Sequence, residues 1–249
     1  LSFKSAPNYE NPGSAAGTNA YNVQVTATDN DGLTTTKTVT VNVTNANEAP
    51  VFAAETETVT TAENQTNSLA IVAATDVDAN NPLTYSISDA DSLIFNINAR
   101  TGALSFKNPP DYETQSTYTV VVTATDGSGL TATKTVTINV TDVNDAPVFA
   151  STTQSVSTTE NQTGPIAIEG ATDVDAGDTR TYAISGGSDS ALFNINTTTG
   201  ALSFKSAPNY ENPGSAAGTN AYNVQVTATD NDGLTATKTV TVNVTNANE

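Results

Sequence analysis

Hydrophobic and polar positions alternate with a period of two through much of the chain. Tyr118, Val120, Val122 and Ala124 fall on one face of an extended segment, and Val136, Ile138 and Val140 alternate with Thr135, Thr137 and Asn139 in the next. The same rows return as Tyr222, Val224 and Val226, then Val240, Val242 and Val244. Phe95, Ile97, Leu104 and Phe106 flank a turn signal at Arg100-Thr101-Gly102. One face of each segment is apolar and the other rich in Thr, a residue that suits a pleated, half-buried surface. A helical period is absent, so little helix is predicted. Short strands separated by turn residues predict an all-β chain built of sandwiches.

The chain repeats itself. Residues 1–48 recur at 202–249 with one difference, Thr35 against Ala236, an offset of 201. Inside that unit a looser copy has an offset of 97: Asn47-Glu48-Ala49-Pro50-Val51-Phe52 returns as Asn144-Asp145-Ala146-Pro147-Val148-Phe149. The two complete copies differ mainly by a loop rich in Pro, Gly, Ala and Ser between Tyr210 and Tyr222, shorter between Tyr112 and Tyr118. The expected division is therefore an incomplete module over 1–48, a short-loop module over 49–145 and a long-loop module over 146–249. Residues 1–48 hold only the last strands of a module, whose apolar face their own sequence does not cover. That predicts a piece of a longer tandem array, completed by upstream sequence or by a neighbouring chain.

Composition narrows the chemistry. Of the 249 residues 8 are basic and 26 acidic, a net charge of −18, which argues against nucleic acid because phosphate binding needs clustered Lys and Arg. Histidine and cysteine are absent, which excludes imidazole base catalysis, thiol nucleophiles, disulfides and the usual zinc and iron–sulfur sites. Apolar runs fall short of the roughly 20 residues that span a bilayer, so no membrane insertion is expected and the fragment is read as soluble.

Most of the acids recur at equivalent places in successive modules, at strand ends and linkers, with no basic residue close by in sequence. Carboxylates gathered without cations repel one another, so a counter-charge is required. Calcium fits: it takes roughly six to eight oxygen ligands from carboxylates, amides and carbonyls, whereas transition metals favour the missing His and Cys. A single Asp-x-Asp is ordinarily a solvated turn; recurrence of the whole set in order is what points to metal. The downstream spacing of an EF-hand loop is not found.

In order, the motifs are Ala62-Glu63-Asn64, Ala74-Thr75-Asp76-Val77-Asp78, Leu83-Thr84-Tyr85-Ser86-Ile87, Thr101-Gly102-Ala103-Leu104, Asp111-Tyr112-Glu113, Ala124-Thr125-Asp126-Gly127 and Thr141-Asp142-Val143-Asn144-Asp145-Ala146-Pro147. This run resembles the cadherin repeat, in the form of the cadherin-like modules of large bacterial surface adhesins. The resemblance implies tandem seven-stranded Greek-key sandwiches in an end-to-end array, with Ca2+ at each junction. By motif, the later junction would use Glu63, Asp111, Glu113, Asp145 and the Val143 carbonyl, with Asn144, the Ala146 carbonyl, Asp173, Asp175 and Asp230 around its outermost ion. The earlier one would use Glu10, Asn47, Glu48, Asp76, Asp78, Asp126 and the Ala46 and Ala49 carbonyls. Asn8 and Asn209 replace a family Asp, and Glu48 and Glu249 replace the linker Asp; fewer negative ligands imply weaker binding. The linker is also one residue shorter than the usual animal form.

The expected role is a non-enzymatic, calcium-rigidified spacer or adhesion repeat at the cell surface, outside the cell, whose partners are adjacent repeats of the same chain. Two other readings are a self-assembling extracellular fibre, through homotypic association of the long loop, and a carbohydrate-binding module for surface glycans. The second wants exposed aromatics, and tryptophan is absent. Paired acids such as Asp111 and Glu113 sit two apart on one extended segment, which does not flank a substrate as glycosidase carboxylates do.

Overall fold

A computed structural model of the chain describes residues 1–78 and 81–248, and Glu249 lies outside them. The chain divides into two compact units, Leu1–Thr141 and Asp142–Glu249. In the first, β1 (Ala20–Thr28) and β2 (Thr34–Asn42) form an antiparallel hairpin. Six further strands follow: β3 (Thr56–Ala62), β4 (Thr84–Ser88), β5 (Phe95–Ile97), β6 (Leu104–Phe106), β7 (Thr117–Thr125) and β8 (Thr131–Thr141). One sheet runs β3-β8-β7-β4, parallel only at β3-β8. Facing it, β5 pairs with β6, and β6 reaches a seventh segment through an antiparallel bridge between Leu69 and Leu104.

The second unit repeats the plan with β9 (Thr153–Thr159), β10 (Thr181–Gly186), β11 (Phe193–Ile195), β12 (Leu202–Phe204), β13 (Ala221–Thr229) and β14 (Thr235–Thr245). Its large sheet is β10-β13-β14-β9, again parallel at β14-β9, and Ile166 bridges Leu202 as Leu69 bridges Leu104. Among the described residues the only helical pieces are 3₁₀ turns at Ala90–Ile94 and Ser190–Leu192. The all-β fold read from the sequence is the fold found.

Period-two patterning becomes packing directly. Val120, Val122, Ala124, Val136 and Ile138 are wholly buried, as are Val224, Val226, Ala228, Val240 and Val242. Aromatic rings close each core: Phe95, Phe106 and Tyr118 in the first, Phe193, Phe204 and Tyr222 in the second, with edge-to-face pairs at 5.0–6.3 Å. Gly102 has φ +75, and a Cβ there would lie 3.1 Å from the Tyr85 ring, so the turn before β6 requires glycine; Gly200 and Tyr182 repeat the arrangement.

Each core also contains a lysine, in phase with the apolar face of its strand, whose charge partner the pattern does not reveal. Lys134 Nζ donates to Glu57 Oε2 (2.8 Å) and the Val72 carbonyl (2.9 Å), and lies 4.9 Å from the Phe52 ring centre. Lys238 sits over Phe149 in the same way, but its acid is Glu169 (3.3 Å), and Gln154 occupies the place of Glu57. The charge partner has moved while the buried ammonium has stayed paired, as burial demands.

Candidate metal centre

In the first unit the hairpin and the following sandwich meet around the 45–50 linker. Glu10, Glu48 and Asp78 bring carboxylate oxygens within 4.8 Å of one another. The linker is held by its own polar groups: Glu48 N–H donates to Asp78 Oδ2 (2.9 Å), Asn45 Nδ2 to Asp78 Oδ1 (2.6 Å) and Asn47 Nδ2 to Asp126 Oδ2 (2.7 Å). Asp76 Oδ1 accepts the Asp78 N–H (2.9 Å), so the Asp-x-Asp pair is a turn that curls its carboxylates toward the linker. Asp126 closes the turn after β7, accepting from Ser128 and Leu130 N–H.

These contacts set the charge balance. Glu48 is pushed above the ordinary glutamate value by desolvation, then by the negative fields of Glu10 and Asp78. Asp126 is held below its usual value chiefly by the Asn47 amide. Thus the chain alone leaves Glu48 facing unneutralised negative charge.

At the far end of the first sandwich, Glu63 is buried, and its Oε2 accepts the Tyr112 N–H (2.8 Å). Its neighbour Asn64 takes φ +60, a conformation asparagine tolerates, and donates to the Pro110 carbonyl (3.0 Å), which fixes the bend. Asp111 Oδ1 caps the Thr114 N–H (2.8 Å), and Glu113 is exposed.

In the second unit Asp145 N–H donates to Asp175 Oδ2 (2.7 Å) and Asn144 Nδ2 to Asp230 Oδ2 (3.0 Å), the counterparts of the Glu48 and Asn47 bonds. Asp230 is buried; desolvation opposes its ionisation, but Asn144 and the N–H groups of Leu234, Gly233 and Asp232 prevail and lower its pKa. Val143 and Ala146 are exposed. Asp173, Asp175 and Asp178 place one oxygen each within 4.8 Å of the others. Asp173 Oδ2, Asp175 Oδ1 and Asp178 Oδ2 are all shielded from solvent and have no hydrogen-bond partner. Three neighbouring carboxylates, each with one shielded oxygen that lacks a hydrogen-bond partner, fit a hard divalent cation, and an all-oxygen donor set suits the adaptable coordination of calcium better than the strict octahedron of magnesium. Asp178 was missed by motif reading, because an isolated acid five positions after Asp173 has no signature of its own.

The chain belongs to the cadherin domain family, whose profile matches residues 57–141 and 154–245. It is 32% identical over 244 residues to human Protocadherin Fat 1, covering 92% of this chain and 5% of that protein. Rat Protocadherin-16 is 33% identical over 247 residues, with 92% of this chain and 7% of that protein covered. The chain thus spans a small part of these relatives' length. Among solved structures, mouse Cadherin-23 EC22-24 superposes with a TM-score of 0.60 at 24% identity, over 98% of this chain and 78% of that one. Human Protocadherin-24 EC1-2 gives 0.58 at 24% identity, over 81% and 100%. These structural likenesses show the fold.

Proposed function

We infer that the chain is a calcium-rigidified, non-enzymatic spacer or adhesion segment of a large surface protein, with ions held at the linkers by the acids named above. The observation that carries this reading is the group Glu10, Glu48 and Asp78, in which three carboxylates from the segment before the hairpin, the linker and the sandwich converge without a basic partner among the described residues. Without metal their repulsion loosens the linker; with calcium, shared coordination fixes one element against the next. The ligand assignments and the module boundaries after residues 48 and 145 belong to this proposal. A bacterial setting is part of it, supported by the shortened linker and the near-exact 201-residue repeat, whereas the relatives named above are animal proteins.

The test is small-angle scattering on the whole chain, first with millimolar calcium and then with excess chelator. Calcium should lengthen and narrow the distance distribution, and a maximum dimension unchanged by chelation would sink the proposal. Affinities of about 10⁻⁴ to 10⁻³ M are expected for extracellular modules. Homotypic association is checked in the same samples by concentration dependence.

A further inference from the structure

We propose that Lys238 and Gln154 join in an intramolecular isopeptide bond, a γ-glutamyl-ε-lysine cross-link between the first and last strands of the second unit. The proposal is independent of the metal reading. Lys238 is wholly buried, and its Nζ donates to Gln154 Oε1 (3.2 Å), Glu169 Oε2 (3.3 Å) and the Glu169 carbonyl (3.2 Å) beside the Phe149 ring. Gln154 Oε1 also accepts the Glu169 N–H (3.0 Å). An amine, a carboxamide and a carboxylate thus meet in one place. A backbone donor already sits on the oxygen that turns negative when an amine attacks. Parallel pairing of β9 with β14 holds Gln154 opposite Val240, two residues from Lys238, so the reactants stay together.

The first unit lacks this chemistry. Its lysine has the same burial and the same ring contact, but Glu57 stands at the place of Gln154 and Val72 at that of Glu169, both at the 97-residue offset. Glu57 Oε2 lies 2.8 Å from Lys134 Nζ, and both carboxylate oxygens accept the Val72 N–H (3.1 and 3.0 Å). That is an ion pair, and a carboxylate resists nucleophilic attack. In the second unit the electrophile is neutral, and the acid has moved to where it can take the lysine's proton. Glu169 removes a proton from the Lys238 ammonium, the amine adds to Gln154 Cδ, a C–N bond forms and the carbonyl π pair moves to Oε1. The added nitrogen gives up a second proton, the carbonyl re-forms and the Cδ–Nε2 bond breaks. Both protons pass through Glu169 to the departing nitrogen, which leaves as ammonium; no other reactant is needed. Glu169 is 54% exposed, which opens a path to solvent. The bond ties β9 to β14, so tension entering at one and leaving at the other bypasses the strands between.

Intact mass spectrometry of the whole chain tests this. The wild type should be lighter than its sequence mass by one ammonia. Tandem spectra of a digest should show the peptides of residues 154 and 238 joined and those of 57 and 134 separate. Gln154→Glu, which copies the first unit and keeps a partner for the lysine, should have its full sequence mass. Glu169→Gln should slow bond formation by about a hundredfold or more, and an unslowed variant would overturn its role as base. The double variant Glu57→Gln, Val72→Glu should lose a second ammonia. A wild type that is folded by circular dichroism yet keeps its full mass after prolonged warm incubation would overturn the proposal. So would an ammonia loss that Gln154→Glu retains, which would place that loss elsewhere in the chain.

Discussion

Residues 1–48 and 202–249 are nearly the same sequence in two surroundings. The hairpin register is identical: Tyr21 faces Val41 and Val23 faces Val39, as Tyr222 faces Val242 and Val224 faces Val240. Burial is not. Leu202 is 0% exposed and its twin Leu1 83%; Val226 is 0% and Val25 45%. Pairing and turn geometry are therefore local properties of this sequence, while its core is made by the strands of residues 149–195, which the first copy lacks. Even the long loop folds alike in both copies. Ser215 Oγ donates to the Thr219 carbonyl (2.6 Å) as Ser14 does to Thr18 (2.5 Å), and the Gly214 N–H reaches Tyr222 Oη (3.0 Å) as Gly13 reaches Tyr21 (3.1 Å).

The sharpest break between the copies comes from the same truncation made in each. Leu202→Ala should destabilise the second unit by about 2–5 kcal/mol, through lost transfer energy and a cavity in its core, whereas Leu1→Ala should lie within about 0.5 kcal/mol of wild type. Chemical denaturation of the whole chain in chelator, followed by two probes to separate the units, measures both. Equal effects would mean that the hairpin face of residues 1–48 is covered in solution.

A second difference is a single side chain. Asp189 is buried and accepts from Ala216 N–H (2.6 Å), Asn223 N–H (2.7 Å) and Ser188 Oγ (2.9 Å), pinning the long loop to the sandwich. Residues 1–48 contain no equivalent of it. Burial works against the Asp189 charge, but these donors outweigh it and its pKa is lowered. A lowered folded value means that its stabilisation is complete above the unfolded pKa and is lost as pH falls through the folded one. Asp189→Ala should cost roughly 1–3 kcal/mol by orphaning buried N–H donors, and should flatten the acid limb of second-unit stability. Hydrogen exchange isolates the loop: the Ala216 amide should be better protected than its twin Ala15, and the variant should erase that gap.

How much of this was readable beforehand depends on the range over which the physics acts. The strands at 117–125 and 131–141 were legible because alternation over nine or more residues registers as one buried face, and the Asp-x-Asp turns were legible because a side chain bonds two residues on. Lys134 was legible only in part: it stands in phase with Val136 and Ile138 on the inward face, but a charge at that position contradicts the pattern until Glu57, 77 positions away, is seen to pair with it. Asp189 and Asp178 were hidden for the same reason, their partners Asn223 and Asn231 lying 34 and 53 residues downstream. The long loop keeps the same local bonds in both copies, and only in the second does Asp189 add an anchor from outside its segment.

The smallest test uses the one position at which the copies differ. Ala236 faces Ala228, which is wholly buried, and packs against the second core; Thr35 faces Ala27 in the hairpin, where both are exposed. Ala236→Thr adds a methyl, which favours a strand, and a hydroxyl, which must keep a hydrogen bond at a partly buried site. These effects oppose each other, so a loss of no more than about 1 kcal/mol is expected, and Thr35→Ala should change nothing measurable. Should Ala236→Thr instead unfold the second unit, the near-identity of the two copies would no longer imply a shared module core, because the residue found in one could not be accommodated in the other.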